Sequence, residues 1–230
     1  MMNEELELVK SEYNGMNEVK DIWENPIVKQ IISCIPFISA GIDSGIEKSI
    51  EMHQKKKLEE LFKIILEDGN YDVIMENIND VECIMEIAKT IDVVNRLIRN
   101  DKVKYLGRLL KNSILDSERN VDEFEELLNK LSELSLREIE MLHCLYGEEE
   151  NIDNTNSNNE KDFDRDEAWR AFVEKVKLKY ELDKSEIISI MLGIMRTGFC
   201  IAEWRTYLNG FATVVMYTSP EYKKMLKKIQ

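Results

Sequence analysis

A chain of 230 residues with 45 acidic and 31 basic side chains carries a net charge of −14. Such a surface repels phosphate backbones and anionic leaflets, which argues against a nucleic-acid or acidic-membrane binder built on the whole chain. The excess is uneven: residues 160–230 hold 13 basic and 11 acidic side chains, net +2, so only the C-terminal third tolerates an anionic partner.

Residues 3–23 are acidic and weakly periodic, and predict a frayed start followed by a short helix. Asn25-Pro26 reads as a cap with proline at the first helical position. It opens the longest weakly charged apolar run, Ile27–Ile46. At 100° per residue Ile27, Ile31, Ile35, Ile38 and Ile42 share one arc, with Lys29, Gln30, Ser33, Asp43 and Ser44 opposite. Pro36 predicts a kink or restart, and Gly41 and Gly45 loosen the end. The run between Lys29 and Asp43 is too short for the ~20 apolar residues that a bilayer span needs. It reads as a core helix, or as a face that a partner or a membrane surface can uncover.

The next segment is highly charged, with helical spacing at Ile50, Leu58, Leu61, Phe62, Ile65 and Leu66 and a stop at Gly69. Its Lys55-Lys56-Lys57 run reads as a solvated face, and His53 as a solvated side chain. Apolar periodicity then runs from Tyr71 to Ile98, with Asn79 and Glu82 as a capping pair that breaks it near 77–79. Amphipathic helices follow over 101–116, from Asn120, and from Ser135, where Ser135 and Glu138 spell a capping box. Short connections between these segments predict an antiparallel helical bundle over 1–146.

Residues 147–163 are polar and asparagine-rich, and read as a flexible linker. Asp153, Thr155, Ser157 and Asp164 touch calcium-loop spacing, but Asn158 stands where that loop needs glycine. Beyond the linker, Asp164 with Glu167 and Asp183 with Glu186 cap two helices. Asn209-Gly210 between apolar runs predicts a two-residue type I′ hairpin, with Trp204 opposite Val215 and Ala202 opposite Tyr217. Ser219-Pro220 caps a last helix.

The predicted fold is thus mainly α: a helical bundle (1–146), a linker (147–163) and a winged-helix-like domain with one β-hairpin (164–230). The helix at 135–146 is free to pack with either domain. A DNA-binding winged helix reads bases from its third helix. The candidate contacts are Lys184, Ser185, Ser189 and Arg196, with Arg205 on the wing. Glu186 among them, and the scarcity of donors, favour a protein-binding module over a DNA-binding one.

Catalytic motifs are absent from the sequence: there is no GxSxG, Walker loop, GxGxxG or HExxH. His143 and Cys144 are neighbours that point ~100° apart on a helix, so they do not form a dyad. The reading is non-enzymatic, with no catalytic, cofactor or metal residues. Cys34, Cys83, Cys144 and Cys200 are widely spaced in apolar contexts and read as reduced core thiols. With an acidic N-terminus lacking an apolar leader, they point to a cytoplasmic protein, with peripheral membrane contact only through the Ile27–Ile46 face.

The motifs I-P-F-I-S-A-G-I-D (35–43), K-K-K-L-E-E-L-F (55–62) and K-V-K-Y-L-G-R-L-L-K-N-S-I (102–114) are followed by L-S-x-L-S-x-R-E-I-E-x-L (131–142) and T-G-F…Y-T-S-P. Together they resemble small bacterial proteins of the abortive-infection alpha type, associated with phage defence. The resemblance implies a non-enzymatic bacterial protein acting through partner or membrane contact, and transfers no active-site residues. A protein partner or self-association follows as the expected mode, with DNA as the alternative partner of the C-terminal domain.

Overall fold

A computed structural model describes residues 22–34, 45–156, 165–206 and 212–229. The fold is mainly α with one antiparallel hairpin, and the chain divides into two compact units. The first comprises residues 1–131 with 228–230, and the second residues 132–227. The helix from Ser135, which the sequence left free to join either domain, falls in the second unit.

In the first unit the helices are α1 (Pro26–Cys34), α2 (Gly45–Leu66), α3 (Tyr71–Asn77), α4 (Val81–Arg96), α5 (Val103–Leu115) and α6 (Val121–Glu133). Helix α1 starts where proline was expected to start it, and the Ile27 N–H donates to the Asn25 side chain at 2.9 Å. Its apolar arc is buried at Ile27, Val28 and Ile31. Ile35, Ile38 and Ile42 lie outside the described residues. The break between α3 and α4 falls where it was expected, but the cap is Asp80, not Asn79: the Glu82 N–H donates to Asp80 at 3.3 Å. The Asn79 amide is spent on the Met75 carbonyl and on Gln30.

The core of this unit joins Leu58, Leu61, Phe62 and Ile65 of α2 to Leu106, Leu109 and Leu110 of α5 and Ile87, Ile91 and Val94 of α4. Helices α2 and α5 cross at Gly107, where a Cβ would stand 3.1 Å from the Ile64 side chain. Lys57 does not belong to the solvated lysine face. It is 1% exposed, and its ammonium donates to the carbonyls of Val94, Asn95 and Leu97 at the end of α4. Carbonyls at a helix C-terminus lack the full set of intrahelical donors, and Val94 receives only the Leu97 N–H at 3.2 Å from its own segment, which is why a lysine is tolerated there. Burial pulls its pKa down. Glu86 is buried as well: one carboxylate oxygen accepts from the Ser113 hydroxyl at 2.8 Å, and the other, Oε1, has no hydrogen-bond partner. Desolvation pushes this carboxyl above its ordinary range.

The second unit holds α7 (Leu136–Asn156), α8 (Arg165–Tyr180), α9 (Lys184–Ile194), β1 (Cys200–Thr206), β2 (Ala212–Thr218) and all but the last two residues of α10 (Pro220–Ile229). Three of the expected caps are in place, and Asp164, the expected cap of α8, lies outside the described residues. The Ser135 N–H donates to Glu138 at 2.6 Å while the Glu138 N–H donates to Ser135 at 3.2 Å. Asp183 and Glu186 repeat this reciprocal pair, and the Tyr222 N–H donates to the Ser219 hydroxyl at 3.1 Å. Two expectations change. Residues 147–156, read as linker, continue α7 as helix. Glu149 explains this: it is 3% exposed and accepts from the Thr218 N–H at 2.6 Å and from the Thr218 hydroxyl.

The hairpin register is the other. Trp204 pairs with Val214 and Ala202 with Met216, one residue off the predicted pairing. The last described pair of the ladder is Thr206 with Ala212. The connection at 207–211, with Asn209-Gly210, lies outside the described residues.

Candidate functional site

Strand β2 is covered: Val214, Val215 and Met216 are buried in succession against α7 and α8. Strand β1 opens progressively, from buried Cys200 to Trp204, which is 71% exposed. Alternation places Glu203 and Arg205 on the face opposite Trp204. There Arg205 donates from Nε to Glu203 at 3.0 Å and from a terminal nitrogen to Asp166 at 2.6 Å. Arg165 stacks 3.9 Å above the Tyr217 ring and lies 3.6 Å from Glu203. The Arg205 guanidinium holds the Glu203 carboxyl below its usual range.

The helix pair leading to the hairpin is joined by three residues, 181–183, with Glu181 in the left-handed region at φ 55°. On α9, Lys184, Ser185, Glu186 and Ser189 are exposed, as is Leu192 at 40%. The Ser185 hydroxyl donates to Asp183 at 2.6 Å. Arg196 donates to the carbonyls of Gly193 (2.5 Å) and Glu133 (3.0 Å) and to the Glu138 carboxylate (3.2 Å). Burial works against the Glu138 charge, yet the Ser135 N–H and hydroxyl and the Arg196 guanidinium hold its pKa below the usual range. Of the five candidate nucleic-acid contacts, both arginines are therefore engaged by carboxylates and carbonyls, and Ser185 serves the helix cap. A base edge or phosphate would have to displace those partners.

A cleft of about 310 Å³ lies between α7 and α8, lined by Glu140, His143, Cys144, Lys175, Val176, Lys179 and Tyr180. Its charges are matched across the opening: Lys175 meets Glu148 at 2.7 Å, and Lys179 meets Glu140 at 2.7 Å, which also accepts from the Tyr180 hydroxyl. His143 Nδ1 lies 2.9 Å from the Tyr222 hydroxyl. Burial pushes the Cys144 thiol up, away from the thiolate that a nucleophile requires. The cleft thus brings together residue types used in catalysis, with the thiol protonated and the lysines ion-paired.

The thiols differ from one another more than the sequence suggested. Cys83 and Cys200 are buried, and desolvation pushes them up to about 11 and about 12. Cys34 is exposed and Cys144 half-buried, so neither is the core thiol that was expected. Among the described residues, no group of three or more His, Cys, Asp or Glu side chains is placed to hold a metal ion. Among them, too, no helix is long and apolar enough to cross a membrane.

No protein-family model, curated protein or solved structure matches this chain. Two of its most informative residues, Trp204 and Glu149, were not singled out from the sequence as exposed anchor and buried acceptor. The signal for Trp204 was present in the alternation of A-E-W-R-T, which leaves an aromatic on the face away from two charges. Nothing local distinguishes Glu149 from its neighbours Glu148 and Glu150.

Proposed function

We propose that this chain is a non-enzymatic interaction protein whose second unit binds a protein rather than DNA. The order helix, helix, helix, hairpin, helix over residues 136–229 supports the winged-helix reading. The single observation that carries the reading is the hairpin: Trp204 stands 71% exposed while the arginine beside it is held by Glu203 and Asp166. Exposed tryptophan is a frequent energetic anchor of protein interfaces, whereas DNA readers present uncommitted arginine, lysine and amide groups. Leu192 on α9 and Leu178 on α8, 81% exposed, add further apolar surface to the unit. The resemblance to abortive-infection proteins supports a role in bacterial phage defence.

The test has two arms. Fluorescence anisotropy with duplex DNA at low ionic strength should show no salt-sensitive binding; a steep inverse dependence on salt overturns the reading. Affinity purification from phage-challenged bacteria should yield a stoichiometric protein that is lost with Trp204→Ala. That protein, once identified and purified, should form a binary complex with the wild type and not with the variant. Equal binding by both removes Trp204 as the anchor.

A further inference from the structure

Strand β1 is one of the two strands in its sheet among the described residues, and its outer edge faces no other strand there. Such an edge carries unpaired backbone donors and acceptors, and natural proteins usually blunt it with lysine, proline or like charges that meet when two edges approach. The sequence of β1, C-I-A-E-W-R-T, has neither lysine nor proline. Its one acidic and one basic residue, Glu203 and Arg205, flank Trp204 symmetrically.

We propose that a second copy of this chain pairs with β1 edge to edge, antiparallel, about a two-fold axis through Trp204. The result is a four-stranded sheet in the order β2-β1-β1-β2. The proposal rests on the interaction reading above and names the partner of the same hairpin. Register selects this pairing. With Trp204 opposite Trp204, each Glu203 faces an Arg205 of the other copy, giving two opposite-charge pairs on one face and an aromatic pair on the other. A shift of two residues one way sets Glu203 against Glu203, and the other way sets Arg205 against Arg205. A shift of one residue turns the side chains to opposite faces. Only the Trp204-centred register is self-complementary. Each copy also brings Asp166 and Arg165 to the charged face, so that Glu203, Arg205, Asp166 and Arg165 sum to zero and the joined network carries no net charge. Closed two-fold symmetry is the commonest arrangement of self-association, and it pairs the open β1 edges of both copies at once.

Sedimentation velocity of the full-length protein over a wide concentration range tests this. The wild type should pass reversibly from 27.0 kDa to twice that mass. Trp204→Ala should weaken the dimer about tenfold or more, and far-UV circular dichroism should be unchanged because the side chain is exposed. Glu203→Arg alone sets two guanidinium groups against each other across the edge, the introduced one facing Arg205 of the other copy, and should abolish the dimer. Adding Arg205→Glu should regain it. A wild type that stays at 27.0 kDa at every concentration overturns the proposal. So does a dimer indifferent to both Trp204→Ala and Glu203→Arg, or a double variant that regains nothing. A monomeric wild type that still loses a different protein partner on Trp204→Ala removes the dimer alone. Salt-sensitive duplex binding removes the interaction reading instead.

Discussion

Replacing Glu149 by alanine should unravel a stretch that looks like linker in the sequence. In the native structure its carboxylate accepts the Thr218 N–H at 2.6 Å and the Thr218 hydroxyl, and both residues are at least 95% buried. A buried donor left without an acceptor costs about 1–3 kcal/mol, and two are orphaned here. Against this, the variant no longer buries a carboxyl whose pKa desolvation has already raised, which returns part of the cost. The net loss should be about 2–4 kcal/mol. Glu149→Gln keeps one acceptor oxygen and should lose about 1 kcal/mol. Urea unfolding followed by circular dichroism and tryptophan fluorescence measures both. Hydrogen exchange should show amides of 147–156 losing protection in Glu149→Ala while the first turns of α7 keep theirs. A double-mutant cycle with Thr218→Val isolates the hydroxyl's share. If Glu149→Ala unfolds within about 0.5 kcal/mol of wild type and exchange over 147–156 is unaltered, the reasoning fails.

Other expectations concern the first unit. Glu86 has a native pKa above its unfolded value, so its contribution is complete below the ordinary carboxylate range and is lost as pH rises through the native value. Glu86→Gln should therefore gain on wild type with rising pH, by at most about 1.4 kcal/mol per unit, in urea melts across the acid-to-neutral range; parallel curves would refute this. Gly107→Ala should cost about 1–2 kcal/mol because its Cβ meets Ile64 at 3.1 Å, and Ile64→Val should recover part of the loss, as thermal melts would show. Ile31→Ala should destabilise by about 2–5 kcal/mol, since the side chain is 2% exposed. If α1 is instead a releasable membrane anchor, the wild type will float with liposomes under some activating condition and Ile31→Asp will not.

Much of the architecture was legible because it depends on near neighbours. Ser135 with Glu138 and Asp183 with Glu186 satisfy helix N-termini within four residues, and Asn25-Pro26 and Ser219-Pro220 start helices by the same local rule. The apolar spacing of Leu106, Leu109 and Leu110 marks a buried face wherever the helix docks. Legibility ended where a partner distant in sequence decides. Lys57 looks like Lys55 and Lys56, but only Lys57 reaches the carbonyl end of α4. Asp80 displaced Asn79 as a cap because the Asn79 amide found Gln30 and Met75.

By itself, the sequence determined that the chain is mainly helical, where most helices begin, and that a hairpin precedes the last helix. These follow from capping chemistry and periodicity, which act over a few residues. Tertiary structure alone decided that 147–156 is helix and that Arg196 and Arg205 are engaged. Each of those outcomes turns on a contact between residues far apart in the chain, whose energy no local pattern encodes.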